Sequence, residues 1–225
     1  MSKLYVVATP IGNLKDITLR ALEILKEVDF IACEDTRHTQ KLLQHYHIQK
    51  PLLACHQHNE KRSAQGLIKL LKEGKDIAYC SDAGTPGLSD PGAFVVAACL
   101  REEIDVIPVP GPSAFASLIS VAGVPMPSVR FAGFLPQHGS KREKALLKFL
   151  EEQGAFLLYE SPYRVDNLLR MLHLHAPGRF LVVGREMTKI HEEFLRGTAQ
   201  ELILLLEKRK LQGEFSILVA SSPES

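Results

Sequence analysis

Apolar residues along this chain fall into short runs, and the segments between the runs follow a helical period. "KLYVVATP" (3–10), "DFIACED" (29–35), "PLLACHQH" (51–58), "DIAYCS" (76–81) and "DVIPVPG" (105–111) read as strands. "TLRALEILKEV" (18–28), "TQKLLQHY" (39–46), "SAQGLIKLLKEG" (63–74) and "GAFVVAACLREE" (92–103) read as helices between them, the third stopped by its C-terminal glycine. This alternation predicts a mainly parallel sheet with helices on both faces. The texture changes at "PVPGPSAFASLISVAGVPMP" (108–127), where five prolines and two glycines surround one short helix. Beyond it strands and helices alternate again: "RFAGFLP", "KREKALLKFLEEQ", "FLLYES", "RVDNLLRMLHLH" and "RFLVVGRE", then a short strand "EEFLRG", the helix "AQELILLLEKRK" and a final strand "EFSILVA".

The expected fold is α/β, with two α/β lobes of mainly parallel or mixed sheet and a ligand cleft between them. The boundary falls near residue 115, giving lobes 1–114 and 115–225. No apolar run is long enough to cross a bilayer, and "MSKLYVVATP" enters a strand directly, without the features of a signal peptide. A cytoplasmic protein, with no membrane partner, is the expectation. The net charge of +1 argues against bulk electrostatic binding of nucleic acid. It leaves room for local patches at "SKREKALLKF" (140–149) and "EKRK" (207–210), although lysines on a helix are usually a solvated face. Cys33, Cys55, Cys80 and Cys99 are widely spaced within apolar runs and read as buried free thiols.

In open α/β sheets ligands bind beyond the carboxyl ends of the strands. In this chain those positions carry "TPIGNLKDIT", "EDTRHT", "SDAGTPGLSDPG", "PGPS", "ESPYR" and "GREMTK". Neither G-x-G-x-x-G nor a P-loop occurs, which removes ordinary dinucleotide binding and P-loop ATP hydrolysis. Gly84, Gly87 and Gly92 would let backbone approach a ligand closely, and Asp82 could accept hydrogen bonds from an amine or hydroxyl. Ser113 stands where a helix N-cap belongs. Purely structural roles, a turn for Asp82 and a cap for Ser113, fit these residues equally well. His45, His47, Cys55, His56 and His58 match no standard zinc spacing, since alternation along a strand would put Cys55 on the face opposite His56 and His58. No metal is expected. Glu34, Asp35, Arg37, Glu160, Arg185, Glu186 and Lys189 are acid–base or anion-binding candidates that could equally form structural ion pairs.

Taken together and in order, "VVATPIGNLKDITLRALEIL", "ACEDTRHTQKLL", "SDAGTPGLSDPG", "PVPGPSAFASLISVAGVP", "FAGFLP", "ESPYR" and "GREMTK" resemble the blocks of the small-subunit rRNA methyltransferase branch of the tetrapyrrole methylase superfamily. The resemblance runs from about residue 4 to residue 219. It implies a homodimeric enzyme that binds S-adenosyl-L-methionine and methylates a cytidine ribose 2′-hydroxyl in the decoding region of 16S rRNA, within the small ribosomal subunit. By position it assigns to the cofactor Pro10, then Asp82, Ala83, Gly84 and Thr85, then Ser113 with Ala114, and finally Tyr159, Phe215 and Ser216. For the RNA side the expected residues are Glu34, Asp35, Arg37 and Glu186, with Arg185 or Lys189 holding a phosphate. Two departures stand out: Gln57 replaces an expected acid, and relatives commonly continue into a further C-terminal segment. Other readings are a methylase of the same superfamily acting on a tetrapyrrole or a protein side chain, and a non-catalytic RNA-binding or ribosome-assembly factor on the same fold.

Overall fold

The computed structural model describes residues 2–56, 60–152, 154–207 and 209–221, with the backbone alone for 60 and 61. The chain forms two compact units, Met1–Ser113 and Ala114–Ser225.

In the first unit the strands are β1 (Lys3–Val7), β2 (Phe30–Cys33), β3 (Leu52–Ala54), β4 (Ile77–Cys80) and β5 (Asp105–Val109). They form one sheet in the order β3-β2-β4-β1-β5, and every pairing is parallel. The helices are α1 (Leu19–Glu27), α2 (Thr36–His45), α3 (Glu60–Lys72) and α4 (Ala93–Arg101). Strand β4 shows why both faces are covered. Ile77 and Tyr79 pack with Leu67, Leu71, Val95 and Cys99 from α3 and α4, whereas Ala78 and Cys80 pack with Ala21, Leu25 and Leu43 from α1 and α2. A strand buried on both sides reads as a continuous apolar run, as "IAYC" does.

Local chemistry fixes the helix starts. The Thr18 side chain accepts from the Ala21 N–H at 3.1 Å and caps α1. The helix α2 begins three residues before the apolar pattern suggests, because the Asp35 side chain caps it at the Arg37 N–H. The edge strand β3 is shorter than predicted. Its pairing ends with the Cys55 N–H donating to the Cys33 carbonyl at 2.8 Å, so His56 lies past the strand and the alternating-face argument does not apply to it. Gln57 and His58 fall outside the described residues. All four cysteines are buried thiols outside any disulfide, and burial raises the Cys33, Cys80 and Cys99 thiols above their ordinary pKa, Cys99 to about 11.

The second unit opens with α5 (Ala114–Ser120) and continues through β6 (Val129–Phe134), α6 (Ser140–Glu151), β7 (Ala155–Glu160), α7 (Val165–His175), β8 (Phe180–Arg185), β9 (Glu193–Thr198), α8 (Ala199–Leu206) and β10 (Phe215–Val219). Its sheet order is β6-β7-β10-β8-β9. Of the two arrangements expected from the sequence, mainly parallel or mixed, this sheet takes the mixed one. Only β6–β7 is parallel, while β7–β10, β10–β8 and β8–β9 are antiparallel. The cause is the hairpin between β8 and β9, which reverses chain direction. Passing through α8, the chain then inserts β10 antiparallel into the gap between β7 and β8. Two β–helix–β units thus interlock, each with one strand of the other in its slot. Leu146, Phe156, Leu158, Leu168, Leu172, Val183, Leu202 and Ile217 form the core against α6, α7 and α8.

Candidate active site

In the first sheet β2 leads on to β3 at one edge, whereas its neighbour β4 leads towards β5 at the other. Where connections diverge, a crevice opens at the strand carboxyl ends. Glu34 and Asp35 leave β2 at this point, and Ser81 and Asp82 leave β4. The Asp35 N–H donates to Asp82 Oδ1 at 3.1 Å and ties the two exits together. A cavity of about 440 Å³, lined by Glu34 and by residues Ser89 to Phe94, opens beside them. That volume lies within the range of small-molecule sites, roughly 300–1,000 Å³.

The loop after β4 is stitched to the loops after β1 and β5. Thr9 and Gly84 exchange two backbone hydrogen bonds, of 2.9 and 3.0 Å. Thr85 Oγ1 donates to the Pro112 carbonyl at 3.2 Å, and Ser81 Oγ to the Gly84 carbonyl at 3.1 Å. Glycine is required at two corners. Gly84 sits at φ 80°, and Gly92 sits at φ 132° where a Cβ would come within 2.9 Å of Tyr79 Cε1. Pro10, Asp82, Ala83, Gly84, Thr85 and Ser113 therefore belong to one cluster of strand exits. Ala114, the first residue of α5, opens the second unit.

The charged residues after β2 divide into different states. Burial raises the Glu34 carboxyl above its ordinary value, and the Asp82 and Asp35 carboxylates add to the rise against a smaller opposing effect of His56. Asp35 goes the other way, to about 2, because the Arg37 guanidinium and backbone N–H both donate to it. Arg37 Nη2 lies 2.9 Å from Asp35 Oδ2, and the rest of that side chain is open to solvent. Glu34 is thus the group whose proton affinity is tuned upward, and Asp35 is held ionised as a cap and ion-pair partner.

In the second unit, the start of β10 lies alongside the ends of β7 and β8. Phe215 pairs with Glu160 and Arg185, and Ser216 pairs with Tyr159 and Gly184. Tyr159, Phe215, Ser216, Arg185, Glu186 and Lys189 therefore share one end of this sheet. The Phe215 ring is buried in the core, and Tyr159 is half-buried against Phe131 and Phe134 with ring centroids 5.0 and 5.7 Å away. Burial opposes ionisation of Glu186, but the Lys189 ammonium at 2.8 Å and the Glu214 N–H at 3.0 Å outweigh it, so its carboxyl lies below the ordinary value. Lys189 also reaches Glu214 at 2.9 Å. Arg185 Nε donates to the Gln212 carbonyl at 2.8 Å, and its Nη1 lies 3.5 Å from Glu193. Both candidate phosphate-holding cations already have protein partners.

Sequence reasoning left Glu160 open between acid–base and structural roles. The structure gives it to structure. Its carboxylate, 1% exposed, accepts from Arg142 Nη2, from Arg164 Nε at 2.9 Å and from the Ser161 N–H at 2.7 Å. Arg142, part of the stretch 140–149 that the sequence offers as a local basic patch, is buried and also donates to Asn167 and to the Pro136 carbonyl. The missed signal is its spacing: Arg142 falls in register with the apolar Leu146 and Phe149 of α6. Among the described residues, no group of three or more His, Cys, Asp or Glu side chains could hold a metal, and no helix is long and apolar enough to cross a membrane.

This fold, with ligand-type loops gathered at the strand ends, is shared with known enzymes. The family described as Tetrapyrrole (Corrin/Porphyrin) Methylases matches residues 3–203. Among solved structures, the cobalamin biosynthetic enzyme cobalt precorrin-4 methyltransferase superposes with a TM-score of 0.69 at 18% identity, over 97% of this chain and 94% of that one. Uroporphyrin-III-C-methyltransferase from Thermus thermophilus gives 0.66 at 20%, over 98% and 94%. At those identities the likeness shows the fold. Curated sequences are much nearer. Ribosomal RNA small subunit methyltransferase I of Thermotoga maritima is 46% identical over 98% of this chain and 99% of its own length. The protein of the same name from Halalkalibacterium halodurans is 43% identical over 98% of this chain and 76% of its own length. This chain belongs to the tetrapyrrole methylases and, within them, to the family named ribosomal RNA small subunit methyltransferase I. That name attaches to relatives that extend beyond the matched region and to relatives that do not.

Proposed function

We propose that this chain is an S-adenosyl-L-methionine-dependent enzyme that methylates the ribose 2′-oxygen of a cytidine in the decoding region of 16S rRNA. It would act on the small ribosomal subunit, in the cytoplasm and as a homodimer. The relatives' names support an rRNA substrate, and their 43–46% identity contrasts with the 18–20% shared with the corrin and porphyrin enzymes. The observation that carries the reading is the crevice between β2 and β4, where an upward-tuned carboxyl, Glu34, stands beside Asp82 at a loop stitched from three strand exits.

The residues present fit the cofactor. S-adenosylmethionine carries a sulfonium and an ammonium against one carboxylate, and Glu34, Asp82 and Asp90 give the crevice the opposite charge. When bound, it supplies an activated methyl group, so alignment and exclusion of water are the protein's main tasks. Pro10, Asp82–Thr85, Ser113 and Ala114 would hold it, with Tyr159 and the start of β10 at Phe215 and Ser216 as further contacts. Ser161 Oγ, buried at the exit of β7 with no hydrogen-bond partner among the described residues, is a polar atom that a ligand can satisfy.

A ribose hydroxyl is a weak acid, so a group that takes its proton during transfer accelerates the step. Glu34 has that role. Asp35, committed to its cap and to Arg37, positions the segment, and Arg37 offers its exposed guanidinium to a substrate phosphate. Glu186 orients Lys189 at the end of β8. Purified protein incubated with labelled cofactor and small subunits lacking the modification, followed by mapping of 2′-O-methyl marks, tests the proposal. One new cytidine mark is expected. Cofactor binding without transfer to RNA would refute the enzyme reading and favour an assembly factor.

A further inference from the structure

Two loops at the end of the second sheet each project an aromatic ring that its own unit leaves uncovered. Phe134, the last residue of β6, is 56% exposed, and Tyr163, after β7, is 93% exposed. Apolar side chains this open need a reason when they are grouped. These two are grouped by a buried ionic network. Arg142 donates both to Glu160, which also holds Arg164 next to Tyr163, and to the carbonyl of Pro136, two residues beyond Phe134. A buried ion pair contributes little net stability compared with apolar packing, so what this one supplies is geometry. This one locks the β6–α6 loop to the β7–α7 loop.

Charge on the adjoining helix identifies the partner. Lys141, Lys144 and Lys148 lie on one exposed face of α6, opposite the buried Arg142 and Leu146. Among the described residues none of the three has an acidic partner, whereas the nearby Glu143 is paired with His175. Exposed aromatic faces beside unpaired cations are the pattern that binds single-stranded nucleic acid, with bases stacking on rings and phosphates meeting lysines. Phe134 also touches Tyr159, a residue assigned above to the cofactor.

We infer that the β6–α6 and β7–α7 loops form an rRNA-gripping surface, on which Phe134 and Tyr163 stack unpaired bases and Lys141 and Lys144 meet the flanking phosphates. The inference rests on the rRNA reading for the identity of the strand and deepens it. Glu160, Arg142 and Arg164 are positioning residues for the surface.

The test uses the full chain with Phe134→Leu, which keeps bulk against Tyr159, Tyr163→Ser at an open position, and Lys141→Gln with Lys144→Gln. The probes are a fluorescent single-stranded oligoribonucleotide, read by anisotropy, and methyl transfer to unmodified small subunits. Each aromatic change is expected to weaken oligoribonucleotide binding about 5- to 100-fold. It should raise KM for the subunit with little change in kcat, and leave cofactor binding and the melting temperature as in the unchanged protein. The lysine pair is expected to flatten the salt dependence of binding. If the unchanged protein binds the oligoribonucleotide but transfers no methyl, the enzyme reading fails, and loss of that binding in the aromatic variants still supports the surface. Binding undiminished in both aromatic variants overturns it. So does a shift of the monomer–dimer equilibrium with RNA affinity intact, which would make the surface a contact between copies of the chain.

Discussion

Glu160→Gln changes one atom type at a site where the carboxylate neutralises two guanidinium groups. The Arg142 side chain is 4% exposed, and after the change it would keep only Asn167, the Pro136 carbonyl and a neutral amide as partners. Removing one member of a buried pair costs about 3–5 kcal/mol, because the remaining charge stays desolvated and uncompensated. Arg164 is 24% exposed and can turn to water, so its loss adds little. The expected destabilisation of the second unit is therefore about 3–4 kcal/mol, read by urea titration followed by circular dichroism. A companion with Glu160→Leu and Arg142→Met removes both buried charges. It should recover much of the loss, since apolar replacements of a buried pair are often neutral or stabilising. A cost below about 1 kcal/mol for Glu160→Gln would place the pair in the weakly coupled class of exposed ion pairs and refute the argument.

Three further outcomes follow from the site. Asp35 falls from its ordinary 3.8 to about 2 in the folded protein, so its contribution to stability is present above pH 3.8 and lost as pH falls through 2; subtracting the acid-unfolding curve of Asp35→Asn from that of the unchanged protein should show a difference that shrinks across this window, and curves separated by a constant would refute it. Glu34 is raised, so the methyl-transfer rate should climb with pH through a limb above the ordinary carboxylate range, and Glu34→Gln should lower kcat about 100-fold or more and abolish that limb; a rate profile unaltered by the substitution removes Glu34 as proton acceptor. Gly92→Ala puts a methyl 2.9 Å from the buried Tyr79 ring at φ 132°, which should cost about 1–3 kcal/mol in thermal unfolding and weaken cofactor binding measured by calorimetry, and an unchanged melting temperature would show that the loop relaxes freely.

The first sheet was legible in the sequence because its strands are buried on both faces and its connections are all helical: "IAYC" and "FIAC" are continuous apolar runs, as strands covered on both faces are, and each helical connection returns the chain in the same direction. The second was legible as strands and helices of a mainly parallel or mixed sheet but not in its strand directions, because local pattern specifies a strand but not its direction, and "EFSILVA" has the same texture whether it pairs parallel or antiparallel. What decides the direction is the hairpin after Arg185, where the seven residues from 186 to 192 return the chain before Glu193. Sites behave the same way. Glycines and carboxylates after β4 marked a candidate ligand loop by composition, whereas the distinction between Glu34 and Asp35 depends on which of two adjacent carboxyls meets Arg37, a contact created by the helix cap itself. The antiparallel entry of β10 then has a positional consequence that no run of residues displays. In an all-parallel sheet its first residues would lie at the end remote from the loops, far from Tyr159 and Gly184. Reversed, β10 delivers Ser216 directly between those two residues, so the strand whose direction the sequence hides is the one that places the start of "EFSILVA" beside the exits of β7 and β8.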